Sequence, residues 1–248
     1  MIIDILTLFP KFYESPTSMG VIGMALNEKK IDLNIVDMRL YGDGNYKKCD
    51  DYTYGGGPGM IMTYSIFKKY FDSNNRGYTL LFSPSGKILT QKKIKELSNK
   101  EHITMILGHY EGIDYRVEKK YADEVISIGD YVLSGGEIPA LLLADAVSRY
   151  KGVLNNKESV TSDTFEENSN GLLEYEQYTR PEEIDNMKVP EVLLSGNHKK
   201  IDEYRRERSI IKTFKKRKDI FSKIDLTKKD IESIFNYLKK HDNENNSI

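Results

Sequence analysis

The chain has 248 residues, 39% of them hydrophobic, which allows one large domain or two smaller ones with a sizeable core. Its 37 Lys and Arg residues balance 38 Asp and Glu residues, so only local charge clusters can indicate a nucleic-acid partner. The single cysteine, Cys49, excludes an intrachain disulfide framework, and no apolar run approaches the roughly 20 residues of a membrane span. Because the N-terminus also lacks the features of a signal peptide, we expect a cytoplasmic protein without a membrane anchor.

Strands and helices are predicted to alternate along the first part of the chain. Apolar, β-branched runs predict strands over residues 2–8, 31–36, 78–82, 102–107 and 124–128. Helical periodicity lies between or after them, over residues 65–71, 90–97 and 139–150. This alternation is typical of an α/β fold, with a parallel sheet covered by helices.

The composition and the hydrophobic periodicity of the sequence change after residue 154. Residues 155–171 are polar and lack an apolar period, which indicates a linker. A helix is predicted over residues 201–220, and a capping box from Thr227 to Asp230 opens a last helix. We expect that last helix to turn four residues inward: Ile231, Ile234, Phe235 and Leu238. The predicted organisation is therefore a domain over residues 1–154, a linker over 155–171 and a small helical domain over 172–248.

Three predicted strands end in loops of small residues. These loops cover residues 83–86, 108–112 and 129–136. Ligands of open α/β sheets bind beyond the carboxyl ends of the strands, so the three loops predict a small-molecule pocket.

A glycine-rich run, YGGGPGM, covers residues 54–60. Glycines let a ligand approach the backbone closely, although a mobile surface turn is the simpler alternative. Met60 stands at the third glycine position of a dinucleotide fingerprint, and Ile88 at the Ser or Thr position of a phosphate loop, so neither motif is present. The four histidines are scattered and no Gly-x-Ser-x-Gly occurs, which disfavours a metal enzyme and a nucleophile-elbow hydrolase.

The strongest local charge lies in residues 199–218, which we call the basic segment. It holds ten Lys or Arg residues against three acids. A basic helix can track phosphates, and the alternative is a solvated helix face. From spacing alone, Arg149 is more simply interpreted as dipole compensation at a helix end, and Asp163 as a helix N-cap.

These segments together resemble one family, the bacterial tRNA (guanine-N1)-methyltransferases known as TrmD. The resemblance rests on motifs that run in order across nearly the whole chain: YGGGPGM at residues 54–60, GHYEGID at 108–114, SIGDYVLSGGEIP at 127–139, Arg149, DTF at 163–165, YTRP at 178–181 and VLLSGNHK at 192–199. Where that family often has Arg, Trp and Pro, this chain has His109, Tyr204 and Lys218.

The resemblance implies the SPOUT fold, in which a parallel sheet is followed by a deep C-terminal trefoil knot, with a small helical C-terminal domain. It also implies a homodimer with active sites at its interface, S-adenosylmethionine as methyl donor, and tRNA as substrate. The implied reaction is methylation of N1 of the guanine at position 37, 3′ of the anticodon. Alternatives are another SPOUT-type RNA methyltransferase and a non-catalytic RNA-binding protein.

Site residues follow from the same resemblance. Asp163 is the expected general base, because neutral guanine carries a proton on N1, and Arg149 is the candidate to stabilise charge on guanine O6. The methyl donor is expected against Ser83, Pro84, Gly108, Tyr110, Glu111, Gly112, Ser127, Ile128, Gly129, Tyr131, Leu133, Gly135, Gly136 and Pro139. Expected tRNA contacts are Gly59, Arg205, Arg206, Arg208, Lys215, Lys216 and Arg217. The resemblance also admits a Mg²⁺ ion, for which the sequence shows no ligand set.

Overall fold

The computed structural model describes residues 1–153, 164–165 and 171–245. The chain divides into two compact units, Met1–Lys157 and Glu158–Ile248. Asp163, the expected general base, lies outside the described residues.

The first unit alternates strands and helices, as the sequence predicts. Its regular elements are β1 (Ile2–Thr7), α1 (Gly20–Asn27), β2 (Asp32–Asp37), β3 (Asp50–Tyr52), β4 (Met60–Met62), α2 (Tyr64–Ser73), β5 (Tyr78–Ile88), α3 (Gln91–Ser98), β6 (His102–Ile106), α4 (Tyr115–Tyr121), β7 (Glu124–Ser127) and α5 (Glu137–Ser148). Short 3-10 helices at Pro10–Tyr13 and Arg149–Lys151 follow β1 and α5.

All five predicted strands join one parallel sheet in the order β2-β1-β6-β5-β7. The carboxyl ends of the strands therefore lie at one edge. β3 and β4 form a separate antiparallel pair. Strand β5 is longer than predicted, because it leaves the sheet after Phe82 and rejoins it at Lys87, both of which pair with Ile126 of β7.

Side chains of alternate sheet residues enter two hydrophobic clusters, as the two-residue period of a strand requires. Ile3 and Ile5 of β1 pack on one face with α3 and α5, while Leu6 packs on the other face with α2. Helix α4 contributes Val117 and Tyr121 to the second cluster. The sheet is thus covered on both faces, which confirms the mixed α/β fold with a parallel central sheet.

The second unit contains a short antiparallel hairpin and helices. Its regular elements are β8 (Glu183–Ile184), β9 (Met187–Lys188), α6 (Glu191–Leu194), α7 (His198–Lys216), α8 (Lys218–Phe221) and α9 (Lys228–Asn245). The predicted capping box is present at α9, where the Asp230 amide donates to Thr227 Oγ1 at 3.2 Å and the Thr227 amide donates to Asp230 Oδ2 at 2.9 Å.

Two predictions for this unit are wrong. The helix expected over residues 201–220 ends at Lys216, because Arg217 has a non-helical backbone (φ −137°, ψ 69°). The predicted inward face of α9 is largely exposed: Ile231 is 54%, Phe235 56% and Leu238 41% exposed, and only Ile234 is half-buried. The buried residue of this turn is instead Asp230, which the capping box and Arg206 hold.

Candidate functional site

A cavity of about 430 Å³ opens at the carboxyl ends of β5, β6 and β7. We call it the first cavity. Its walls come from the three small-residue loops that the sequence singles out. This volume lies within the range of pockets that bind small molecules and cofactors.

The loop within β5 forms one wall because Gly86 packs against the backbone of β7. A Cβ atom at Gly86 would lie 2.5 Å from the backbone nitrogen of Ile126, closer than any side chain allows. The absence of a side chain therefore lets β5 rejoin the sheet at Lys87 after the excursion. Ser83 and Pro84, which lie in that excursion, line the first cavity.

The loop after β6 is held by strand β4. The Glu111 amide donates to the Met60 carbonyl at 3.0 Å, and the Met62 amide donates to the Gly112 carbonyl at 2.9 Å. The pairing also brings the glycine-rich run to the cavity, since a Cβ atom at Gly59 would lie 2.5 Å from Glu111 Cγ. Residues 54–60 therefore adjoin the cavity wall through Gly59.

The loop after β7 closes the cavity against the loop after β6. The Gly136 amide donates to the Gly108 carbonyl at 3.0 Å and joins the two loops. A Cβ atom at Gly135 would lie 2.3 Å from Glu137 Oε2 and 2.7 Å from His109 Cδ2. Only glycine fits this position while Glu137 and His109 keep their places.

The carboxylate of Glu137 is buried at the first turn of α5. Thr7 Oγ1 donates to Glu137 Oε1 at 2.9 Å, and the Tyr13 hydroxyl donates to the Glu137 carbonyl at 3.1 Å. Burial, together with the charge of Glu137, raises the pKa of Tyr13, which keeps this hydroxyl a donor. The ends of β1 and α5 are thus joined behind the cavity. A helix N-terminus also favours this negative charge.

His109 forms part of the cavity wall. Its ring packs on Phe9 with centroids 4.7 Å apart, and its Nδ1 is buried without a hydrogen-bond partner among the described residues. An unpaired buried polar atom costs free energy, and no contact among the described residues offsets that cost here.

All fourteen residues expected to contact the methyl donor line the first cavity. Further lining residues that were not among the expected contacts include His109, Asp114, Tyr115, Glu118 and Val132. His109 and Asp114 lie inside the GHYEGID motif, and Tyr115 and Glu118 lie in the first turn of α4 that follows it. Extending that motif by one helical turn would have found Tyr115 and Glu118, whereas His109, Asp114 and Val132 already lie inside the motifs.

Neither predicted catalytic residue is found in the lining of the first cavity, for different reasons. Arg149 is half-buried in the 3-10 helix that follows α5, and it does not line the first cavity. Asp163 is outside the described residues. Its relation to the cavity therefore stays a prediction.

Cations of the basic segment make many contacts inside the second unit. Arg206 donates to both oxygens of Asp230 at 3.1 and 3.0 Å, and Arg208 donates to both oxygens of Glu176 at 3.0 and 3.3 Å. The Arg217 guanidinium pairs in the same way with Asp219 and lowers the pKa of that carboxyl to about 2.

Other expected tRNA contacts in this segment form no such bidentate pair with a carboxylate among the described residues. Arg205 lies over the ring of Tyr175 at 4.9 Å, and Lys215 lies over the ring of Tyr237 at 5.2 Å. Lys216 is exposed in the last turn of α7. Helix α7 therefore carries both structural and exposed cations.

Within the described ranges, no group of three or more His, Cys, Asp or Glu residues could hold a metal ion. No described helix is both long enough and apolar enough to cross a membrane.

The fold and cavity together define a class: an α/β protein with a cavity of small-molecule size at the carboxyl edge of a parallel sheet. Comparison with known proteins is more specific. Residues 1–223 match the family described as tRNA (Guanine-1)-methyltransferase TrmD. The chain therefore belongs to this family.

Relatives with the name tRNA (guanine-N(1)-)-methyltransferase match most of the chain. The Staphylococcus epidermidis protein is 44% identical over 248 residues, covering 98% of this chain and 100% of its own. The Mycoplasmopsis agalactiae protein is 46% identical over 226 residues, 90% of this chain and 98% of its own. The Thermosipho melanesiensis protein is 46% identical over 230 residues, 91% of this chain and 92% of its own.

Proposed function

We propose that the chain transfers the methyl group of S-adenosylmethionine to N1 of the guanine at position 37 of tRNA, in the cytoplasm. The observation that carries the proposal is the convergence of all fourteen expected donor-binding residues on the first cavity. Family membership supplies the reaction, and the names of the relatives indicate the modified atom and the tRNA substrate.

The first cavity fits this methyl donor. Its volume suits a nucleoside-sized molecule, and glycines at its wall leave backbone amides and carbonyls within reach of an adenine edge. Leu133 and Pro139, both in the lining, can cover the faces of the base. No residues of this chain are assigned to Mg²⁺, because the described residues offer no ligand set.

S-adenosylmethionine supplies a methyl group that its sulfonium sulfur makes electrophilic. The protein must align guanine N1 with that methyl group, exclude water and remove the N1 proton. We assign proton removal to the carboxylate of Asp163. A carboxylate with an ordinary pKa near 4 is a weak base for this proton, so negative charge that develops on guanine O6 needs a cation. We assign that cation to Arg149.

We further propose that the chain forms a knotted homodimer. Support for the knot is family membership, and the sheet order, in which the chain crosses β5 between β6 and β7, is compatible with it. Support for the dimer comes from exposed apolar side chains on the 3-10 helix after β1 and on α5. Phe12 is 39%, Ile138 51% and Leu142 41% exposed. Asp163 would then serve the cavity of the partner subunit.

We also propose that the second unit, with residues 172–248 as its helical part, binds tRNA. The exposed cations of α7 can contact phosphates, while Gly59 lets a base approach the first cavity closely. Arg206 and Arg208 would contribute mainly by holding the unit together, since both are paired with carboxylates.

Labelled S-adenosylmethionine and tRNA transcripts test this function directly. Transfer of label to a transcript with guanine at position 37, and none to a transcript with adenine there, supports the proposal. Label in a ribose 2′-hydroxyl would indicate a different RNA methyltransferase of this fold. Absence of both methyl transfer and donor binding would indicate a non-catalytic RNA-binding protein.

A further inference from the structure

A second cavity, of about 460 Å³, adjoins the first one in the same unit. It lies beyond β1 and β2, at the same carboxyl edge of the sheet, and Tyr110 lines both cavities. The two cavities are therefore neighbours that share Tyr110 as a wall residue. Besides Tyr110, the polar and charged residues of its wall are Arg39, Asp43, Tyr46, Lys47, Lys48 and Asp50.

The charges of this wall are only partly neutralised by neighbours. Lys48 pairs with Asp51 at 3.0 Å, and Asp43 pairs with Lys69 at 2.6 Å. Arg39, Lys47 and Asp50 form no ion pair within the described part of the chain. The cavity thus presents two available cations and one available carboxylate.

A series of ring contacts runs from Arg39 of the second cavity to His109 of the first. The Arg39 guanidinium lies 5.1 Å from the centroid of the Phe9 ring, and Phe9 packs on His109 of the first cavity with centroids 4.7 Å apart. Tyr46, at the wall of the second cavity, is 98% exposed. Cations beside an exposed aromatic ring are the combination that binds single-stranded nucleic acid, in which bases stack and phosphates pair.

We propose that the second cavity binds a nucleotide that neighbours the target guanine in the RNA loop, with its phosphodiester on Arg39 and Lys47 and its base against Tyr46. This inference rests on the proposed function, because it assumes that the target base reaches the first cavity. The carboxylate of Asp50 in the same wall disfavours a free phosphate dianion, whereas a phosphodiester carries a single charge. A polynucleotide therefore fits the cavity better than inorganic phosphate.

Variants can remove the two cations with little strain. Lys47 has a positive φ of 50°, a region that asparagine tolerates, so Lys47→Asn is combined with Arg39→Gln. Lys29 provides a matched control, since it is an exposed lysine with a φ of 54° that precedes β2 at the opposite edge of the sheet. Lys29→Asn makes the same change of charge on the same kind of backbone.

The experiment measures binding of a short hairpin RNA that carries the anticodon loop, with S-adenosylhomocysteine present to prevent turnover. A series of these RNAs has one phosphate each, near the target guanine, replaced by a neutral methylphosphonate. In the wild-type protein and in Lys29→Asn, one such replacement should raise the Kd about tenfold. In the double variant the Kd should already be raised about tenfold with the unmodified RNA, and that replacement should then have no further effect.

Equal sensitivity of the double variant and the wild type to every neutral phosphate would overturn the proposal. So would competition by inorganic phosphate at low millimolar concentration, which would indicate a free-anion site. Unchanged S-adenosylhomocysteine affinity and melting temperature show that the double variant is folded. If the wild-type protein binds the hairpin but never methylates it, the proposed function fails, and the phosphate series still decides the role of the cavity.

Discussion

Close approaches at single glycines determine where the walls of the first cavity lie. At Gly135 the space that a side chain would need is taken by Glu137 and His109. Glu137 cannot move aside easily, because Thr7 and the Tyr13 hydroxyl hold its carboxylate and its carbonyl. One methyl group at this position should therefore displace the cavity wall.

Gly135→Ala should weaken S-adenosylmethionine binding about tenfold, as expected for about 1–3 kcal/mol of overpacking. The measurement is a calorimetric titration, with a thermal melt to confirm the fold. Gly108→Ala adds a methyl group in the same cavity at an ordinary distance of 3.5 Å from Ile113, so any loss of affinity that it causes reports lost cavity space without overpacking. Equal affinities in Gly135→Ala and the wild type would show that the loop adapts and that Gly135 does not shape the cavity.

Asp163→Asn should abolish methylation and leave S-adenosylmethionine affinity nearly unchanged. The substitution keeps the shape of the side chain and removes its ability to accept the N1 proton. Single-turnover rates with tRNA, alongside donor titration, check both parts. A variant that turns over near the wild-type rate would rule out Asp163 as the base.

At the residue level, sequence motifs predict which residues meet in the first cavity but not how they are held. Loops after parallel strands share one edge, so the motif residues converge there. The contacts of Glu137 with Thr7 and Tyr13 join residues more than 120 positions apart, and no local pattern encodes them. His109 is conspicuous in the sequence only as a departure from the family pattern.

At the level of elements, strong apolar runs predict the sheet well. The five strands are confirmed: β1, β5, β6 and β7 contain buried residues, whereas β2, at one edge of the sheet, has none and is only partly covered. The β3–β4 pair was not predicted, since its strands have three residues each and gain their order from the loop after β6. The predicted inward face of α9 is wrong because periodicity identifies a stripe without identifying what covers it.

Replacement of Lys215, Lys216 and Arg217 by alanine should weaken tRNA binding about tenfold and flatten its salt dependence. Each phosphate contact that is lost removes about one released counterion from the slope. Donor affinity should stay unchanged, because these residues lie in the other unit. If tRNA affinity is the same as that of the wild type at low and high salt, the basic segment is only a solvated face.

Arg206→Ala provides the contrast within the same helix. It leaves the buried carboxylate of Asp230 without its guanidinium, which should cost the second unit about 2 kcal/mol of stability, less than a fully buried pair because Arg206 is one-third exposed. Burial alone would raise the pKa of Asp230, but the pair with Arg206 helps to lower that pKa below its usual value. Thermal unfolding of the variant and of the alanine triple variant should therefore differ.

For the whole molecule, the proposal requires two chains to complete one active site. An Asp163→Asn chain is combined with a Gly135→Trp chain, whose first cavity is blocked. Each mixed dimer then holds one intact cavity opposite one intact Asp163, so activity should partly return, although each variant alone is inactive. Mixed dimers that form but stay inactive would show that Asp163 serves its own chain or has no catalytic role.

The central claim is that this chain methylates N1 of guanine 37 in tRNA, and nucleoside analysis of the reaction product tests it most directly. The protein is incubated with S-adenosylmethionine and an unmodified tRNA transcript, and the digested RNA is separated and identified by mass spectrometry. We predict one product, 1-methylguanosine, located at position 37 and absent when the transcript carries adenine there. Methylation of another nucleobase, of a ribose hydroxyl or of a guanine elsewhere in the tRNA would contradict the account.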